Sequence, residues 1–229
     1  MSLSPPYKET SADPHLSLFE RVHSEQSAHA GMGMEMEDAV RIATQIVNGV
    51  EEVIQQLYGG DRETHTHTLS DAELKSLLHH LSPYTILYDT HGELCIGVLP
   101  SGFALNVRIS SVSEECEEIE TAVCRYHIPD GARGGDEHTK ESDEKDAVYS
   151  IGLILYECTC GLIPFDGYST DRLRQLVPLG VKPDMSTLPP LVSSLITSTL
   201  SADAHTHTPT LHSLLTQLSL LVSTPPSDT

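Results

Sequence analysis

The chain has no tryptophan, only three phenylalanines and few cations: 13 Lys and Arg stand against 33 Asp and Glu in 229 residues, a formal net charge of −20. With so little aromatic bulk, a core has to be assembled from Leu, Ile, Val and Ala. The shortage of cations disfavours nucleic acid and anionic lipid as partners, since both are polyanions. It favours a Lys/Arg-rich protein segment instead. Acidity also serves solubility alone, and both readings stay open. No apolar run approaches the ~20 residues a membrane-crossing helix needs, so membrane insertion is not expected. The opening residues, Met1 to Tyr7, carry neither the basic stretch nor the apolar stretch of a signal peptide. The five cysteines (Cys95, Cys116, Cys124, Cys158, Cys160) are odd in number. Free thiols and a cytoplasmic setting are therefore the expectation.

What is present is mostly helical periodicity. Residues 1–14 hold three prolines and read as a tail. Leu16 to Val22 is a short amphipathic turn or helix. From Glu37 to Leu57, apolar residues recur at three- and four-residue spacing (Ala39, Ala43, Ile46, Val47, Val50, Ile54, Leu57), which predicts a one-faced helix closed by Gly59-Gly60. Ser70-Asp-Ala-Glu73 has capping-box spacing and opens a second helix through about His80. Tyr84 to Tyr88 and Glu93 to Gly97 are β-type runs around a turn-rich Asp89-Thr-His-Gly92, a hairpin pattern. Phe103 to Ile109 reads as a further strand. Residues 113–120 hold five Glu in eight positions, and residues 130–146 form a second charged stretch that reads as loop. Ala147 to Cys158 is apolar on nearly every face, which predicts a helix surrounded by core. Helices are expected again at Thr170–Leu176, at Leu188–Leu200 with Pro189-Pro190 in its first turn, and at Thr210–Leu221. Residues from 223 onward read as a second tail.

Other constellations carry little chemistry. His65 and His67, and His205 and His207, stand two apart as metal ligands can, but no Cys or carboxylate completes a four-ligand set at a familiar spacing; a low-complexity loop is the better reading. Cys158 and Cys160 are two apart on a helix and so point in different directions, which suits buried structural thiols. There is no G-x-S-x-G elbow for a hydrolase. Neither a metal nor a cofactor is expected.

The order of helices, hairpin and helices resembles the C-terminal lobe of a protein kinase, and local motifs fall in register. Leu81-Ser-Pro-Tyr-Thr-Ile-Leu-Tyr-Asp89 resembles "L-K-P-E-N-I-L-L-D". Tyr126-His-Ile-Pro-Asp130 is similar to "Y-x-A-P-E". Ala147 to Gly152 is similar to "D-V-Y-S-F-G", and Gly161-Leu-Ile-Pro-Phe165 to the "G-x-x-P-F" turn. Asp203 to Leu215 resembles the closing "D-P-x-x-R-P-T" segment. The resemblance covers about residues 16–218. It implies a mainly α fold, a kinase-like C-lobe with a small β-hairpin and no N-lobe, spanning residues 15–222 between tails 1–14 and 223–229. Within it, Tyr149, Ser150, Gly152, Pro164 and Phe165 would hold the scaffold.

The same resemblance implies that the phosphotransfer groups are missing. Kinase chemistry needs an Asp as base, an Asn and a second Asp to hold Mg²⁺, and a Lys on the phosphates. The base position falls on His80, the Asn on Thr85 and the metal-holding Asp on Val98; the Arg of the closing motif is Thr208. No glycine-rich loop or "V-A-I-K" strand is present, and Gly31-Met-Gly33 is better read as loop. The pattern resembles kinase non-catalytic C-lobe (KIND) modules and pseudokinases. These bind protein segments; in actin nucleators they grip a basic formin tail through an acidic groove. The expectation is a non-enzymatic module for a protein or basic peptide partner of cytoskeletal or signalling type. Its acidic surface would come from Glu114, Glu115, Glu117, Glu118, Glu120, Asp136, Glu137, Glu141, Asp143 and Glu144. The alternative is the C-terminal part of a divergent ATP-dependent Ser/Thr or Tyr kinase, since Gly161 to Gly167 stays close to true kinases.

Overall fold

A computed structural model describes residues 17–23, 33–59, 70–88, 94–96, 124–128, 139–200 and 208–223. Seven α-helices and one pair of strands make up these residues. In chain order they are α1 (Leu18–Val22), α2 (Met36–Tyr58), α3 (Asp71–His79), β1 (Ile86–Tyr88), β2 (Leu94–Ile96), α4 (Lys140–Cys160), α5 (Thr170–Leu176), α6 (Pro190–Thr199) and α7 (Leu211–Ser223); a 3-10 turn, Val177–Leu179, follows α5. The fold is mainly α and compatible with a kinase-like C-lobe. The predicted strand over 103–109 lies outside the described residues.

Helix α4 is the axis of the structure. It touches α2, α3, α6 and α7, and from Ala147 to Cys158 every residue is buried. A helix apolar on all sides reaches that state only when neighbours cover each face. Two close approaches make the cover possible. A Cβ added at Gly152 would overlap the Thr199 hydroxyl and stand 2.8 Å from the Thr199 Cβ, so α6 can cross α4 there only over a glycine. At the other end, a Cβ on Gly33 would overlap the backbone of Cys158 and Thr159, and the Met34 N–H donates to the Cys158 carbonyl at 2.7 Å. Gly33 and Met34 thus pack their backbone against the end of α4. Gly161 then terminates the helix at φ 68°, its N–H returning to the Glu157 carbonyl at 2.8 Å.

The first turns of α4 correct the sequence reading. Residues 139–146, expected in a loop, belong to the helix: Thr139 is its N-cap, accepting the Ser142 N–H at 3.2 Å. Glu141 and Asp143 occupy the first turn, where the amide end of the helix favours negative charge. Periodicity failed here because the acidic residues are held by partners from other elements, a fact no local pattern carries.

Helix α2 presents one apolar face, buried from Ala39 to Ile54, and leaves Arg41, Asn48, Glu52, Gln55 and Gln56 in solvent. Its closing Gly59 is right-handed (φ −80°), not the left-handed cap the glycines suggest; a Cβ there would overlap the Gln55 carbonyl, so the need is for space. The Ser70/Glu73 capping box of α3 forms as expected, and a second one, Ser17/Glu20, opens α1. Strands β1 and β2 pair antiparallel, with Ile86 opposite Ile96 and Tyr88 opposite Leu94. Ser17 bridges to Leu87 and the Phe19 N–H donates to the Pro83 carbonyl at 3.0 Å, so α1 is fastened to the same strand.

Candidate functional site

The segment between α3 and β1 holds the positions that resemble a kinase catalytic loop. The Leu78 side chain is core. His80 closes α3: its Nδ1 lies 2.7 Å from the Ser76 carbonyl oxygen, an acceptor, so that nitrogen carries a proton and is engaged by its own helix. Thr85 is buried. Its hydroxyl accepts the Ser82 N–H at 3.1 Å and donates to the His80 carbonyl at 2.7 Å. Both hydroxyl roles are used to tighten the turn, and neither side chain offers a carboxylate. Val98 lies outside the described residues. Among the described residues, no group of three or more His, Cys, Asp or Glu side chains is placed to hold a metal ion.

Behind this turn, α4 carries a line of buried polar groups that pin other elements to it. Asp143 accepts the Tyr58 hydroxyl at 2.7 Å and has His79 Nε2 at 3.9 Å. Burial, and then the hydrogen bond to this carboxylate, push the Tyr58 phenol up to about 12. Glu144 caps α7 by accepting the Leu211 N–H at 2.9 Å. The Ser150 hydroxyl donates to the Tyr126 carbonyl at 2.7 Å. Glu157 is fully buried. One of its oxygens accepts the Tyr126 hydroxyl and the other lies 2.7 Å from His23 Nε2. Burial first, and the Glu157 charge second, raise Tyr126 well above its ordinary value and bring Tyr84 to about 12. Desolvation likewise raises both Cys158 and Cys160, which suppresses the reactive thiolate.

The acidic surface expected from sequence is divided by this arrangement. Glu141 is exposed and Glu144 half-buried, whereas Asp143 points inward and is removed from any contact surface by its burial against Tyr58 and His79. Glu114, Glu115, Glu117, Glu118, Glu120, Asp136 and Glu137 lie outside the described residues, as do the His65/His67 and His205/His207 pairs. Tyr149, Ser150, Pro164 and Phe165 are all buried. Phe165 takes a left-handed backbone (φ 55°), rare for a bulky side chain, and its ring meets Tyr168. The Glu157–Tyr126–His23 junction is absent from the sequence reading. Its signal was the lone acid in the apolar stretch 147–160, since a buried charge requires partners.

No family model matches the chain. Over 117 residues, 51% of its length, it is 30% identical to the serine/threonine-protein kinase PrkC of Bacillus subtilis (strain 168), and the match takes in 16% of that protein. The chain thus corresponds to a small part of that relative, and the similarity supports a distant kinase-like relation.

Proposed function

We propose that the chain is a non-catalytic, kinase-like interaction module that binds a basic protein segment. The state of the catalytic-loop positions carries this reading. Mg²⁺ requires hard oxygen ligands in a near-octahedral arrangement, and the phosphates of ATP require that ion. His80 and Thr85 supply no carboxylate, and the polar groups described above are already engaged within the turn. The residues present do not fit a bound Mg²⁺–nucleotide, and no phosphotransfer step is derived through them. The net charge of −20 supports a cationic partner. The module would span residues 15–222, with α7 extending one residue further, and would act in the cytoplasm, where Lys/Arg-rich segments of cytoskeletal or signalling proteins are the expected class of ligand.

A second reading, the C-terminal part of a divergent protein kinase whose N-lobe is encoded elsewhere, is favoured by one observation: the similarity to a serine/threonine kinase. Thermal denaturation separates the two. A ligand at a hundredfold excess over its Kd stabilises the native state by ~2.7 kcal/mol. The module reading expects no change in melting temperature with millimolar Mg²⁺–ATP and a rise with a Lys/Arg-rich peptide. A Mg²⁺-dependent rise with ATP would overturn it in favour of the kinase.

A further inference from the structure

A cavity of about 230 Å³ opens between α2, α3 and the strand pair. Its lining combines the buried aliphatic side chains of Ile46, Leu77 and Ile86 with the polar Gln45 and Glu52. Gly49 of α2 is among the lining residues, although a helix-interior glycine costs helix stability relative to alanine. Small-molecule sites run to roughly 300–1,000 Å³, so this volume suits one or two aliphatic side chains better than a nucleotide.

The lining has a charge to match the overall excess. Glu52 is exposed and has no hydrogen-bond or ion-pair partner among the described residues. Helix α2 carries Glu37, Asp38, Glu51 and Glu52 against a single cation, Arg41, which lies 2.6 Å from Asp38. A cavity lined by aliphatic and polar side chains beside an uncompensated carboxylate fits a partner that offers a hydrocarbon side chain and a cation close together.

We propose that this cavity receives one aliphatic side chain of a Lys/Arg-rich protein segment, with Glu52 taking an adjacent cation. The proposal rests on the interaction-module reading and locates the contact on α2. The apolar anchor supplies affinity through burial, and the carboxylate selects the sign of the neighbour.

Two labelled peptides of Lys, Arg and Ala, one with a single central Leu and a twin with Ala in its place, test this by fluorescence anisotropy against the full chain. The Leu peptide is expected to bind at least about tenfold tighter than its twin. In the Gly49→Leu variant, which adds a bulky side chain at the cavity lining, that preference is expected to disappear while the weak, salt-sensitive binding of the Ala peptide persists. In Glu52→Lys, an exposed change that leaves the fold intact, both peptides weaken. Equal binding of the two peptides to the parent chain would overturn the cavity proposal and leave the basic-partner reading standing. Failure of both peptides to bind would count against both. A concentration-dependent dimer lost in Gly49→Leu would assign the cavity to a second copy and also overturn the proposal.

Discussion

Helices α2 and α4 are nearly equal in length, 23 and 21 residues, yet they handle polar groups in opposite ways. On α2 the charges stand on one face in solvent and the apolar residues on the other, so each side chain meets the environment it prefers without help from another element. On α4 the charges at Asp143, Asp146 and Glu157 lie inside the protein. Asp143 and Glu157 bind side chains from distant segments, and Glu144 holds the start of α7. Glu52 on α2 stands exposed, open to a partner, whereas Asp143 and Glu157 on α4 are part of how the fold is specified. The acidic residues of this chain therefore cannot be counted as one surface.

The contrast can be broken most severely at Glu157. Replacing Glu157 with Ala removes the acceptor of a buried tyrosine and leaves His23 and Tyr126 without their partner. A loss of ~3–5 kcal/mol is expected, measured by urea denaturation; a loss below ~1 kcal/mol would show that the junction contributes little. Gly152→Ala comes next. Alanine gains about 1 kcal/mol of helix propensity, but its Cβ runs into Thr199, and overpacking of this kind costs ~1–3 kcal/mol. The net expectation is a destabilised protein that recovers when Thr199→Ala is added, the signature of a direct clash in a double-mutant cycle.

Alkaline titration gives a graded version of the same test. Tyr58, Tyr84 and Tyr88 are each raised to about 12, with burial the first cause. A folded-state value above the unfolded one means that the neutral form is favoured by folding. The associated stability is complete below about pH 10 and is lost as pH rises toward 12. Circular dichroism should show the midpoint of urea unfolding falling through that window, and Tyr84→Phe should flatten the fall. The smallest effect is expected on α2: Glu52→Gln should change stability by no more than about 0.5 kcal/mol, while it weakens a cationic peptide. A large stability change there would erase the distinction between the two helices.

The elements whose information is local were readable from sequence. Helix α2 announced itself through spacing, α3 through Ser70 and Glu73, and the strand pair through two short β-type runs. The core of α4 was readable from continuous hydrophobicity. What escaped was non-local. The first turns of α4 looked like loop because Asp143 and Glu144 find their partners at Tyr58 and Leu211. Asp143 was counted with the surface acids for the same reason. The roles of Gly33 and Gly152 depend on which backbone or side chain arrives from elsewhere, and no single-chain pattern reports that. Thr85 could be recognised as a poor metal ligand by type, but its closure onto His80 is a property of the folded turn.

The link between His23 and Glu157 spans 134 residues of sequence. During synthesis, α1 emerges early and finds neither strand β1 nor the end of α4 to rest against. At ~5–20 residues per second, on the order of seconds to tens of seconds pass before Glu157 is polymerised. Strand β1 is made partway through that interval and gives α1 its first place to rest, while the His23–Glu157 link waits for the end of α4. Helix α1 is thus made well before the end of α4 that it joins through His23, and any factor that shields nascent apolar segments would find a target there.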